Sequence, residues 1–149
     1  MKALAGVRVI EMGSVVLAPY AGQLLADLGA TVVKVEPLAG DTTRNLGHAA
    51  HPDMAALFLN CNRGKQSIAI DVAKADGLAV LKRLVASADV FLHNMHFDSA
   101  ERLGIGHAKL AEVHCRGQRA TWGQAAQTLA RMLHRMAFGL ALRDRIVER

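Results

Sequence analysis

Cysteine, proline and aromatic residues are scarce in this chain: two Cys, three Pro, four Phe, one Tyr and one Trp among 149 residues. Two thiols, Cys61 and Cys115, exclude a disulfide framework and stand at no metal-ligand spacing, so they read as buried or idle residues of a reducing compartment. No apolar run reaches the roughly 18 residues that a membrane span requires. Nor is there a cleavage region behind the opening Met1-Lys2-Ala3-Leu4-Ala5-Gly6, and the expected location is therefore cytoplasmic. The seven histidines form no H-x-x-x-H pair with a third ligand, which argues against a metal site. A G-x-S-x-G turn for a serine hydrolase is missing as well.

Net charge of one sign is also missing from most of the chain. The formal charge is +5, but residues 1–114 hold 11 Lys and Arg against 11 Asp and Glu. The excess sits in residues 115–149, where seven Arg face Asp144 and Glu148. The first part is electrically ordinary, and its length suffices for one domain with a real core.

What is present is an α/β pattern. Val7 to Met12 is a β-branched run between glycines, and Thr31 to Glu36 is a second one introduced by Gly29. Between them Pro19 opens a stretch with Ala21, Leu24, Leu25 and Leu28 at helical spacing, which makes one βαβ unit. Ser67 to Val72 and Val90 to Asn94 are two further strands, separated by a helix over about residues 75–86. A parallel sheet with right-handed crossovers follows as the default topology.

Such a sheet binds ligands at the carboxyl ends of its strands. Glu36, an acid closing the second strand, invites a dinucleotide reading, but the chain after the first strand lacks G-x-G-x-x-G. A nicotinamide or flavin site is disfavoured for that reason, and Glu36 reads as a solvated strand-end carboxylate. The Asn60-Cys61-Asn62-Arg63-Gly64-Lys65-Gln66-Ser67 turn concentrates amides and cations before a strand. It is either a solvated loop or a site for an anionic phosphate. Asn94-Met95-His96-Phe97-Asp98, followed by Arg102, adds a second amide and cation. Two such turns on one edge of the sheet favour a phosphorylated ligand.

Gly6 to Met12, Ala18-Pro19, Leu28 through Pro37, Gly40-Asp41-Thr42-Thr43-Arg44, Asn62-Arg63-Gly64-Lys65 through Asp71, Ala88 through Asn94 and Glu101-Arg102-Leu103-Gly104 occur in unbroken order. This series resembles the N-terminal segment of the class III CoA-transferases, the CaiB/BaiF family, which includes formyl-CoA transferase, carnitine CoA-transferase and α-methylacyl-CoA racemase. The resemblance implies a Rossmann-like parallel sheet with flanking helices, incomplete relative to the family, and an interlocked homodimer. It implies transfer of CoA from an acyl-CoA to a carboxylic acid, with the CoA thioester as substrate and no metal or covalently bound cofactor.

By the same resemblance Val15, Val16, Leu17 and Ala18 line the thioester end of CoA, and Ile70 lies against the adenine. Asn94 and Met95 border the nucleotide, and Arg102, with Lys65 nearby, faces the phosphates. Pro37, Ala73, Met95 and His96 depart from common family residues, with Lys74 one position after Ala73. The family's nucleophilic Asp lies beyond the matched segment, in a region that forms anhydride and thioester intermediates. Residues 1–114 are thus expected to be a CoA-binding segment truncated before its catalytic Asp and inactive alone. The alternatives are a non-catalytic CoA- or nucleotide-binding fragment, a functionless remnant and a racemase-like member.

Residues 115–149 form a second expected unit. From Thr121, Trp122, Ala125, Leu129, Met132, Leu133, Met136 and Leu140 alternate with Arg131 and Arg135 as in a basic amphipathic helix. A membrane or nucleic-acid arm, a cap on the exposed sheet and a change of reading frame near His114 each fit this stretch. The frame change is the favoured reading, and nucleic acid is not an expected partner.

Overall fold

The computed structural model describes residues 2–113. The expected tail helix and the boundary at residue 115 lie outside those residues. Four strands are present: β1 (Arg8–Met12), β2 (Thr31–Glu36), β3 (Gln66–Ala69) and β4 (Val90–His93). All pairings are parallel and the order across the sheet is β3-β2-β1-β4. Five helices connect or follow them: α1 (Leu17–Asp27), α2 (Ala56–Asn62), α3 (Ala75–Ala86), α4 (Phe97–Arg102) and α5 (His107–Ala111).

Side chains alternate in direction along each strand, and because both faces of the sheet are covered, β1, β2 and β4 are buried almost continuously. Ile10, Val35 and Phe91 point to one face, where they meet Leu81 and Val85 of α3 together with Ala100, Ile105 and Leu110. Val9, Val32 and Leu92 point to the other and meet Ala18, Ala21, Leu25 and Ala26 of α1. Each fully buried aliphatic side chain contributes about 1.5 to 3 kcal/mol. The two layers therefore stabilise the sheet from both sides with no help from a disulfide. The expected strands and the helices α1 and α3 are all present with small shifts of their ends. Helix α2 was not expected; it occupies the first part of what looked like one polar turn, so Asn60 and Asn62 are helical.

Sheet order carries the functional consequence. The chain leaves β1 through α1 toward β2 and β3, then returns through α3 to lay β4 on the other side of β1. The boundary between β1 and β4 is a switch point where the connections diverge, the position at which open parallel sheets bind ligands, beyond the carboxyl ends of the strands. β3 and β4 are the two outer strands. The turn before β3 and the turn after β4 are therefore on opposite sides and at opposite ends of the sheet. The expectation that they share one edge is corrected: composition showed two anion-friendly turns, but the order of strands was needed to locate them.

Candidate functional site at the switch point

The turn from Gly13 to Val16 leaves β1 and enters α1 within four residues. Gly13 is required because a Cβ there would collide with Ala18 and lie 3.1 Å from Asn94 Oδ1. Val15 adopts a left-handed backbone with φ +66°. For a β-branched residue this conformation costs about 1 to 2 kcal/mol, and it persists only where neighbours over-determine it. Val15, Val16 and Leu17 are exposed as a result, whereas Ala18 is wholly buried against the sheet. An exposed apolar triplet at the switch point of the sheet is poorly explained by folding energetics.

Asn94, at the end of β4, ties the two turns together. Its Nδ2 donates to Ser14 O at 2.9 Å and its Oδ1 accepts from Ser14 N at 3.1 Å. This bidentate clamp spans the switch point, and Met95, the next residue, packs against the core on the α3 face. Arg102, in the last turn of α4, is exposed, and among the described residues it makes one hydrogen bond, to Ser99 Oγ at 3.3 Å. Its guanidinium thus remains available to an anion. Ile70, just past β3, is buried among Val35, Leu81 and Ala100. His93 is also buried, and loss of solvation pushes its imidazole below the ordinary value.

Lys65 is somewhere else from where its phosphate role would put it. Its side chain is 2% exposed, with Nζ 2.6 Å from Glu11 Oε2, 2.6 Å from Pro19 O and 2.8 Å from Asn62 Oδ1. An ammonium with those three acceptors has no donor left for a phosphate. Burial pushes its pKa down, an effect the Glu11 carboxylate opposes. Lys65 is corrected to an interior ion-pair residue. Lys74, the suggested substitute for a missing basic residue, is an exposed side chain 3.7 Å from Asp71.

Sequence reading missed the network to which Lys65 belongs. Glu11 and Lys34 are opposite one another in the β1–β2 register, on the α1 face and above Val9 and Val32. Lys34 Nζ lies 3.1 Å from Glu11 Oε1, 2.9 Å from Asp41 Oδ2 and 2.8 Å from Gly13 O. Two lysines and two carboxylates thus form a neutral cluster beneath the turn. Burial pushes the Asp41 carboxyl up, but hydrogen bonds from Lys34 and Thr43 outweigh it and hold the group below its usual range. The missed signal was a charged residue within each apolar strand, both at the parity of the buried α1 face.

Glu36 is corrected in the same way. It is 3% exposed, and it accepts from Arg44 Nε and Nη2 at 2.7 Å each, Ser67 Oγ at 2.6 Å and Asp41 N at 2.8 Å. Burial alone would raise its pKa, but these donors prevail and bring it down to about 2. Arg44 also stacks over Phe58, 3.8 Å from the ring centre. Both carboxylate oxygens are engaged by the chain itself, so Glu36 anchors the loop after β2.

The profile of CoA-transferase family III matches residues 4–116. Over 114 residues the chain is 41% identical to the succinate–glutarate CoA-transferase of Agrobacterium fabrum, covering 72% of this chain and 28% of that protein. The succinyl-CoA:glutarate CoA-transferase of Mus musculus is 38% identical over 114 residues, with 76% and 26% covered. Among solved structures, a CAIB/BAIF family protein from Brucella suis is similar with a TM-score of 0.71 at 37% identity, over 75% of this chain and 31% of that one. The chain spans little more than a quarter of the length of these curated relatives.

Proposed function

The chain belongs to CoA-transferase family III, and on that premise we propose that residues 2–113 form the part of a CoA-transferase that holds the CoA thioester. The observation that carries this reading is the switch point, where the exposed Val15, Val16 and Leu17 follow a turn that Asn94 holds from the end of β4; Met95 follows Asn94 in sequence. Exposed apolar side chains suit the pantetheine and thioester end of the ligand, with Ala18 buried behind them. Arg102 supplies the charge for the phosphates, and charge-assisted contacts of that kind contribute about 1.5 to 3 kcal/mol. Ile70, being buried, supports the adenine end from beneath.

The reaction proposed for the whole protein is transfer of CoA from an acyl-CoA to a short-chain carboxylic acid, the compound class in the names of its relatives. It requires a nucleophile from outside the described residues. The exposed Leu38, Leu46, Met54 and Leu59 support assembly into a homodimer that would cover them.

Calorimetry on the 149-residue chain tests the binding role. Wild type should bind CoA, and Arg102→Ala should weaken CoA by roughly tenfold or more while changing the affinity for adenosine and pantetheine by less than about twofold. Equal loss for charged and uncharged ligands would remove Arg102 from the phosphate contact. Tighter binding of NAD than of CoA would refute the reading as a whole.

A further inference from the structure

Three side chains hold the β1–α1 turn and the first turn of α1 by their carbonyls. Lys34 Nζ donates to Gly13 O at 2.8 Å, Asn94 Nδ2 to Ser14 O at 2.9 Å and Lys65 Nζ to Pro19 O at 2.6 Å. Between the held ends stands Val15, in the left-handed region that a β-branched residue otherwise avoids. The two lysines are bridged by Glu11, whose oxygens take one ammonium each.

Helix α1 is shaped to admit this arrangement. Gly22 faces the Glu11 carboxylate so closely that any Cβ there would overlap Oε2, and it would lie 3.3 Å from Lys65 Cε. A glycine inside a helix is unfavourable by about 1 kcal/mol relative to alanine, so its presence here makes room for the buried charges. A neutral buried ion cluster is seldom more stable than apolar packing of the same volume. Its distinctive effect is to fix geometry, and the atoms it fixes are Gly13 O, where the turn begins, and Pro19 O, in the first turn of α1 beyond it.

We infer that Lys65 is a positioning residue for the acyl-CoA site, holding the entry of α1 through Pro19 O so that Val15 and Val16 keep their outward conformation. The ligand half of this inference rests on the function proposed above; the conformational half does not. Lys65 touches no ligand. Its effect passes through the turn, with Lys34 as its counterpart at Gly13.

The test uses the full chain with Lys65→Met, which leaves Glu11 paired to Lys34, and Lys65→Gln if the methionine form fails to fold. Val85→Ala serves as a control, because it destabilises the core on the face of the sheet opposite the one that α1 covers. Acetyl-CoA and adenosine 3′,5′-bisphosphate are titrated separately. Loss of positioning should weaken acetyl-CoA by roughly tenfold, since small displacements of an oriented site are costly, and leave the bisphosphate within about twofold. The Val85→Ala control should change neither affinity beyond that margin.

The second readout is NMR. A positive φ gives a strong intraresidue cross-peak between the Val15 amide and its Hα, which should be present in wild type and in Val85→Ala and weakened by substitution of Lys65. An unchanged Val15 signal, or equal loss for both ligands, would overturn the inference. Should the wild-type chain bind neither ligand, the function proposed above fails, and the Val15 signal alone decides whether Lys65 positions the turn.

Discussion

Replacing Arg44 with methionine would keep an unbranched stem over Phe58 and remove the only cation among the described residues that contacts Glu36 directly. The carboxylate would keep Ser67 Oγ and Asp41 N, and it would remain almost wholly buried. Breaking a buried pair by removing one partner costs about 3 to 5 kcal/mol. Because Arg44 is 21% exposed and two donors survive, about 2 to 3 kcal/mol is expected at pH 7. The pH dependence gives an independent check. Glu36 has an ordinary pKa of 4.5 and a folded value of about 2. Its contribution is therefore fully present above pH 4.5 and disappears as the pH falls toward 2, a total of about 3 kcal/mol at most. In Arg44→Met the folded value is no longer depressed, so that loss on acidification is absent. Urea unfolding followed by circular dichroism should show a gap of 2 to 3 kcal/mol between the two proteins at pH 7, shrinking below about 1 kcal/mol by pH 3. A gap under about 0.5 kcal/mol at pH 7, or one that does not change with pH, would refute the assignment of Glu36 as an ionised anchor.

Gly22→Ala should destabilise the protein by about 1 to 3 kcal/mol in thermal unfolding, because overlap with the Glu11 carboxylate outweighs the roughly 1 kcal/mol that alanine gains in a helix. A stabilised variant would show that Glu11 moves aside freely. Val15→Gly should raise stability by up to about 1 kcal/mol, since glycine takes the left-handed conformation without strain and Val15 is 47% exposed. The same variant should bind acetyl-CoA more weakly than wild type, and a loss of stability would mean that the Val15 side chain packs usefully in the folded state.

The linear arrangement of residues was enough for the elements and for the family. β1, β2 and β4 are runs of β-branched and apolar residues bounded by glycine or polar residues, and α1 and α3 carry apolar positions at helical spacing. These are local signals, because backbone conformation and side-chain parity act over a few residues. The ordered motifs from Gly6 to Gly104 likewise pointed to the CoA-transferases without any coordinates. The residues of the proposed site, Val15 to Ala18 with Asn94 and Met95, came from that resemblance and not from periodicity.

What only tertiary structure decided is where the charges go. Glu11 and Lys34 are 23 positions apart, and the parallel register of β1 and β2 alone makes them neighbours on the face covered by α1. Lys65 has the composition of a phosphate ligand, yet the end of α2 delivers its ammonium beneath α1, where Glu11, Asn62 and Pro19 O satisfy it. Glu36 ends its strand as a solvated acid would, but the returning loop lays Arg44 and the Asp41 amide across it. A charged residue's meaning depends on partners brought from distant segments, since desolvation and Coulomb attraction act through space. Local sequence fixes the conformation of the backbone, and the packing of elements determines which charges reach solvent.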